Sequence, residues 1–228
     1  MRVIFIFVLM FWISAQTVFA APAAKDFGTL PSVYDAAISP DGTRVAMFYN
    51  IDGTYGISVM PTKGKAQKAR VVLLGKGVKP KWLKWANNEY VLASIWQSGE
   101  TQSVKRKGSN IETKGLVYTS SFLYSINANS MKSKVLVKPR DIFRQFNDVV
   151  IDFLDDDPNH ILMAYSNTNA FAPGIRKVHV VSGKSQIVKG GNEKIQFWYT
   201  DLTGTPRVGQ GRKDNTSAEK WYLKIRNA

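Results

Sequence analysis

Cysteine is absent from all 228 residues, and histidine occurs only twice, at His160 and His179. The first absence excludes disulfides, thiolate metal sites and a cysteine nucleophile, so packing alone must hold the chain together. The second leaves only two possible bases for a serine triad. Beyond residue 20 no apolar run is long enough to cross a bilayer as a helix. The pentapeptide Gly-x-Ser-x-Gly, which exposes a nucleophilic serine on a strand-to-helix turn, does not occur. Its nearest approximations, "GISVM" at Gly56 and "SGKSQ" at Ser182, both lack the second glycine.

What is present favours one sizeable folded domain. Hydrophobic residues make up 44% of the chain and aromatics 12%, enough to build a core and too many for a disordered segment. The opening "MRVIFIFVLMFWISAQTVFA" has one charge, Arg2, then an apolar run, then a small-x-small ending at Ala20. This predicts a signal-peptide helix over 1–20, cleaved before Ala21, a linker over 21–33, and a periplasmic or secreted mature chain without a membrane span. Without Arg2 the mature chain is less positive, by a single charge, than the +14 of the whole. Its densest basic clusters are "KGVKPKWLK", Lys76 to Lys84, and "KRK", Lys105 to Lys107. The remaining basic residues are scattered, which predicts a solvated basic face; export argues against nucleic acid as a partner.

The stretch "ISPDGTRVAMFYNIDGTYGISVM", Ile38 to Met60, holds two Asp-Gly pairs, Asp41-Gly42 and Asp52-Gly53, with β-forming runs between and after them. Asp-Gly suits tight turns because glycine accepts positive φ and the aspartate side chain bonds the local backbone. Three strands of an up-and-down meander are predicted here. The pattern then repeats. "AISPDGTRVAMFY" stacks over "KWANNEYVLASIW" and "FLDDDPNHILMAY", bringing Asp41, Asn87 and Asp157 together at the turn. In that register Val45 falls on Val91 and Ile161, Ala46 on Leu92 and Leu162, and Tyr49 on Ile95 and Tyr165. A fourth unit, "YTDLTGTPRVGQG", puts Thr203-Gly204 at the turn. Turn spacings of about 46, 70 and 46 residues match a propeller blade once an insertion, "QSGETQSVKRKGSNIETKG", is allowed in the second unit.

Third strands ("YGISVMP", "FLYSINA", "KVHVVSG") and fourth strands ("ARVVLLG", "SKVLVKP", "SQIVKG") follow in the first three units, and "KWYLKIR" is a third strand in the last. The expected fold is therefore all-β: a partial β-propeller of about four four-stranded antiparallel blades over 34–75, 78–139, 146–190 and 194–228, the last incomplete.

The unit openings "AAISPDGTRVA", "WLKWANNEYVLAS", "DDDPNHILMAYS" and "WYTDLTGTPRVG", with the inner strand "LYSINA", resemble the N-terminal propeller of secreted bacterial S9 serine peptidases. These are relatives of prolyl oligopeptidase, dipeptidyl peptidase and acylaminoacyl peptidase. The resemblance runs from about Tyr34 to Arg226, and "SPDG" by itself also opens blades of TolB-like and other propellers. It implies a hydrolase family in which the propeller gates peptide access to a downstream α/β-hydrolase domain that carries the triad. No catalytic, cofactor or metal residue is assigned to this chain, which is expected to be inactive alone. His160 and His179 read as structural positions on the repeat, and the run Asp155, Asp156, Asp157 reads as a turn without the glycine and terminal glutamate of a calcium loop. Trp82, Trp85, Trp96, Trp198 and Trp221 read as fillers between blades. The alternative is a stand-alone periplasmic binding module for anionic envelope components or a protein partner.

Overall fold

A computed structural model describes residues 27–64, 70–99, 102–105, 112–116, 119–137, 146–166, 172–192, 194–212 and 221–225. The signal segment 1–20 and the basic residues Arg106 and Lys107 lie outside the described residues. The chain divides into a short unit, Met1–Leu30, and a larger one, Pro31–Ala228, which holds every strand among the described residues. Among the described residues no helix is long and apolar enough to cross a membrane.

The first sheet follows the turn chemistry directly. Strands β1 (Val33–Ile38), β2 (Arg44–Ile51), β3 (Thr54–Pro61) and β4 (Arg70–Leu73) pair in chain order as an antiparallel meander. Asp52 and Gly53, with φ of 49° and 81°, form the two-residue loop between the paired Ile51 and Thr54, as a hairpin whose twist matches its strands requires. The second sheet contains β5 (Val78–Trp85), β6 (Tyr90–Ser98), β9 (Thr119–Asn127) and β10 (Ser133–Val135). Between β6 and β9 the predicted aperiodic insertion instead carries a separate two-stranded hairpin, β7 (Gln102–Lys105) and β8 (Glu112–Leu116). With one apolar side chain each, Val104 and Leu116, "QSVK" and "ETKGL" offer no hydrophobic alternation to betray them.

The third sheet is β11 (Val150–Asp152), β12 (His160–Tyr165), β13 (Gly174–His179) and β14 (Ser185–Lys189), again in chain order. Its third strand lies earlier than "KVHVVSG" suggests: Val180 and Val181 are in the turn, because His179 and Gly183, at φ 67°, close it. The fourth sheet is β15 (Phe197–Thr200), β16 (Pro206–Arg212) and β17 (Trp221–Ile225), three strands among the described residues.

These sheets stack in chain order, and the odd-even pattern of each second strand shows how. In β6, Val91, Ala93 and Ile95 pack with Ala46, Phe48, Ile57 and Val59 of the first sheet, whereas Leu92 packs with Ile161 and Met163 of the third. In β12, Ile161, Met163 and Tyr165 face the second sheet, while Leu162 and Ala164 pack near Ile195 and Trp198 of the fourth. Covering on both faces explains why "VLASI" and "ILMAY" are continuous buried runs rather than alternating ones. The repeat register predicted from sequence holds, since Val91 and Ile161 both face the preceding sheet and Ala46, Leu92 and Leu162 the following one. Four stacked antiparallel sheets are compatible with a partial β-propeller.

Tryptophans bridge the stack as well as filling it. Trp85 Nε1 donates to the Ala37 carbonyl across the first junction at 2.9 Å, and Trp198 Nε1 donates to the Pro173 carbonyl at the third at 2.7 Å. Asp35 accepts from the Leu83 amide at 2.8 Å, and Asp152 from the Gly204 amide at 3.1 Å.

Candidate functional site

Three groups of polar side chains are candidates for a site, beginning with the repeated turns that open each unit. Asp41 Oδ1 accepts from the Ser39 hydroxyl at 2.5 Å, and from the amide and hydroxyl of Thr43 at 3.0 and 2.8 Å. Asn87 Oδ1 accepts from the Glu89 and Tyr90 amides. In the fourth unit the acceptor is Asp201, which holds the Thr203 amide and hydroxyl, the Thr205 amide and the Arg207 side chain. The repeat alignment points to Thr203-Gly204 at this turn and passes over Asp201, because Asp201 stands five residues before the start of β16 whereas Asp41 stands three before that of β2.

Asp157 occupies the third turn, with Oδ1 on His160 Nδ1 at 2.9 Å and Oδ2 on Lys177 Nζ at 2.6 Å. Both oxygens are engaged by cationic or N–H partners, so Asp157 is a turn clamp. Among the described residues no group of three or more acidic or histidine side chains converges as a metal site.

These clamps predict a pH response. Hydrogen bonds from Ser39 and then Thr43 hold Asp41 down at about 2, and those from His160 and then Lys177 hold Asp157 at about 2. Asp201 is lowered in the same sense, chiefly by the Thr203 hydroxyl. A depressed carboxylate binds fewer protons folded than unfolded, so its contribution is complete above the unfolded value near 4 and is lost as pH falls through the folded value near 2. Urea midpoints should therefore hold level from pH 7 to about 4 and then fall toward pH 2, and Asp157→Asn should flatten that fall. A midpoint unchanged between pH 5 and 2 would contradict this.

The second group brings both histidines together, which the sequence did not show. His160 and His179 are directly paired across β12 and β13, with ring centroids 5.0 Å apart and planes at 80°. His179 also has a serine beside it: Ser182 Oγ lies 3.2 Å from its Nδ1. That nitrogen accepts from the Val181 and Ser182 amides at 3.3 and 3.1 Å, so its lone pair caps the β13–β14 turn. A base whose acceptor position is committed to backbone amides cannot also take a serine proton, and the arrangement is a turn cap. Ser58, the serine of "GISVM", is buried in β3 without a hydrogen-bond partner among the described residues.

The third group is buried between the second and third sheets. Asp148, just before β11, accepts through Oδ2 from Lys81 Nζ at 2.5 Å and from the Ser94 hydroxyl at 2.6 Å. Its side chain is only 2% exposed, and Oδ1 has no partner among the described residues. Lys81 also sits over the Trp96 ring, 4.1 Å from its centre. One carboxylate thus joins an inner strand of one sheet to the entrance of the next, which is a structural task.

No family model matches the chain. No curated protein matches it in sequence. Among solved structures it is similar to a dipeptidyl peptidase 4 from Porphyromonas gingivalis, at 13% identity and a TM-score of 0.47, over 82% of this chain and 30% of that one. It is also similar to the AtxE2 isopeptidase without ligand, at 12% identity and a TM-score of 0.31, over 82% of this chain and 31% of that one. The chain thus spans about a third of the length of each.

Proposed function

We propose that this chain is a non-catalytic propeller segment of an exported S9-like serine peptidase, working outside the inner membrane to restrict which peptides reach an α/β-hydrolase domain. The observation that carries the reading is the ordered set of unit openings, from "SPDGTRVA" to "TDLTGTPRVG", on sheets that stack face to face in the same order. The polar groups described above support a scaffold role, since each of them fixes a turn or a junction between sheets. The competing binding module would use the basic surface instead.

Two experiments test the proposal. Sequencing the coding DNA beyond Ala228 should find an in-frame or frameshifted segment encoding Gly-x-Ser-x-Gly, and an unrelated gene there would favour the binding module. The purified chain should not cleave peptide anilides, because the only serine and histidine in contact among the described residues, Ser182 and His179, form a turn. Turnover that survives repurification and is lost in Ser182→Ala would refute that.

A further inference from the structure

The two Asp-Gly pairs of the first sheet sit in nearly the same local sequence, "PDGT" and "IDGT", yet the fold treats their carboxylates oppositely. Their glycine amides are held alike: Gly42 N–H donates to the Ser39 carbonyl and Gly53 N–H to Asn50 Oδ1, each at 2.8 Å. Neither glycine is crowded, since nothing lies within 4 Å of where a Cβ would stand on either. The Asp41 carboxylate is fixed by the Ser39 hydroxyl at 2.5 Å and by the amide and hydroxyl of Thr43 at 3.0 and 2.8 Å. The Asp52 carboxylate has no hydrogen-bond or ionic partner among the described residues, and Asp52 and Gly53 are both exposed at the tip of the β2–β3 hairpin. The difference between the two pairs therefore lies in the carboxylates alone.

We propose that Asp52-Gly53 is a site of spontaneous backbone modification, at which Asp52 converts to isoaspartate while Asp41-Gly42 is spared. The Gly53 nitrogen attacks Cγ of Asp52. The new N–Cγ bond closes a five-membered succinimide, the Cγ–OH bond breaks, and the departing hydroxyl leaves as water with the amide proton. A second water then opens the ring at the main-chain carbonyl of Asp52, breaking its bond to nitrogen, so that the chain continues through Cγ and the former main-chain carbonyl becomes a carboxylate. Nothing is oxidised or reduced. An ionised carboxylate has no good leaving group, so the reaction runs through the neutral acid, and hydrogen bonds that favour the charged form slow it. At Asp41 the Ser39 hydroxyl, then the Thr43 amide, hold the carboxyl down at about 2, and the same bonds fix the side chain against the rotation that attack requires. Asp52 has none of them. The product matters to the fold, because an isoaspartyl link adds a carbon to the main chain of a two-residue loop, and the loop sets the register of its hairpin. The inference uses these two turns alone and stands apart from the peptidase reading.

Prolonged incubation of the full chain near pH 5, native and in parallel in concentrated urea, tests it by peptide mapping, in which an isoaspartyl peptide keeps its mass and shifts its retention. A carboxyl held at about 2 is neutral roughly tenfold to a hundredfold less often at that pH than an ordinary aspartate, so in the native chain isoaspartate should accumulate at Asp52 at least about tenfold faster than at Asp41. In urea both turns are lost and the two rates should converge. Ser39→Ala should speed conversion at Asp41 and leave Asp52 unchanged; should that variant fail to fold, Thr43→Val, which removes a hydroxyl at constant shape, replaces it. Equal conversion at the two sites of the native chain, or none at Asp52 where the unfolded chain forms it, would overturn the proposal. So would an undiminished preference for Asp52 in urea, which would assign the contrast to the preceding residues, Pro40 and Ile51, and not to the fold.

Discussion

Replacing Lys81 with alanine is expected to lower stability by about 3–5 kcal/mol, because it strands Asp148 between two sheets with Ser94 as its remaining partner. The second oxygen already lacks a partner among the described residues, so the carboxylate has nowhere to redirect its charge. For a domain of this size the loss corresponds to a fall in melting temperature on the order of 10 °C. Losing the contact of the lysine with the Trp96 ring adds in the same direction by up to about 1 kcal/mol. Breaking one partner and removing both are different experiments. Lys81→Met combined with Asp148→Leu should recover most of the loss, since the apolar pair removes both charges and leaves only the Ser94 hydroxyl without its acceptor. Urea unfolding of the single and double variants measures both, and a Lys81→Ala variant within 1 kcal/mol of its parent would show that water reaches Asp148.

The contrast between that pair and the turns explains how much of this fold the sequence discloses. Asp41-Gly42 and Asp52-Gly53 act through backbone conformation within a few residues, so their chemistry is written where it operates. The blade register is legible for a related reason: the apolar positions keep the same phase in β2, β6 and β12, buried on alternate residues in β2 and as continuous runs in β6 and β12. Lys81 and Asp148 are 67 residues apart and carry no local mark of their pairing. Neither do His160 and His179, which meet through strand register. Asp201 escapes notice because it opens its loop, two residues earlier relative to the following strand than Asp41 does. The hairpin β7–β8 escapes because periodicity reports burial, and "QSVK" and "ETKGL" hold one apolar side chain each, too few to show a period. Local turn chemistry and two-sided burial are therefore readable, whereas contacts made only by stacking are not.

The same truncation made in two sheets should separate a fully buried junction residue from a half-exposed one. Phe48 is fully buried between the first and second sheets, beside Ala46, Ile57 and Trp85. Phe48→Ala removes a ring from a site walled on both sides by strands that are fixed by their own hydrogen bonds, so the space cannot collapse. Lost transfer energy and the cavity together give about 3–5 kcal/mol of destabilisation. Phe197 is half exposed in β15 of the fourth sheet. Phe197→Ala should cost about 1 kcal/mol or less, as truncations of half-exposed side chains do. Thermal melts of both variants read the difference directly. Equal losses would mean that Phe197 is as closely enclosed as Phe48, and a Phe48→Ala variant as stable as its parent would mean that the first two sheets do not depend on their junction.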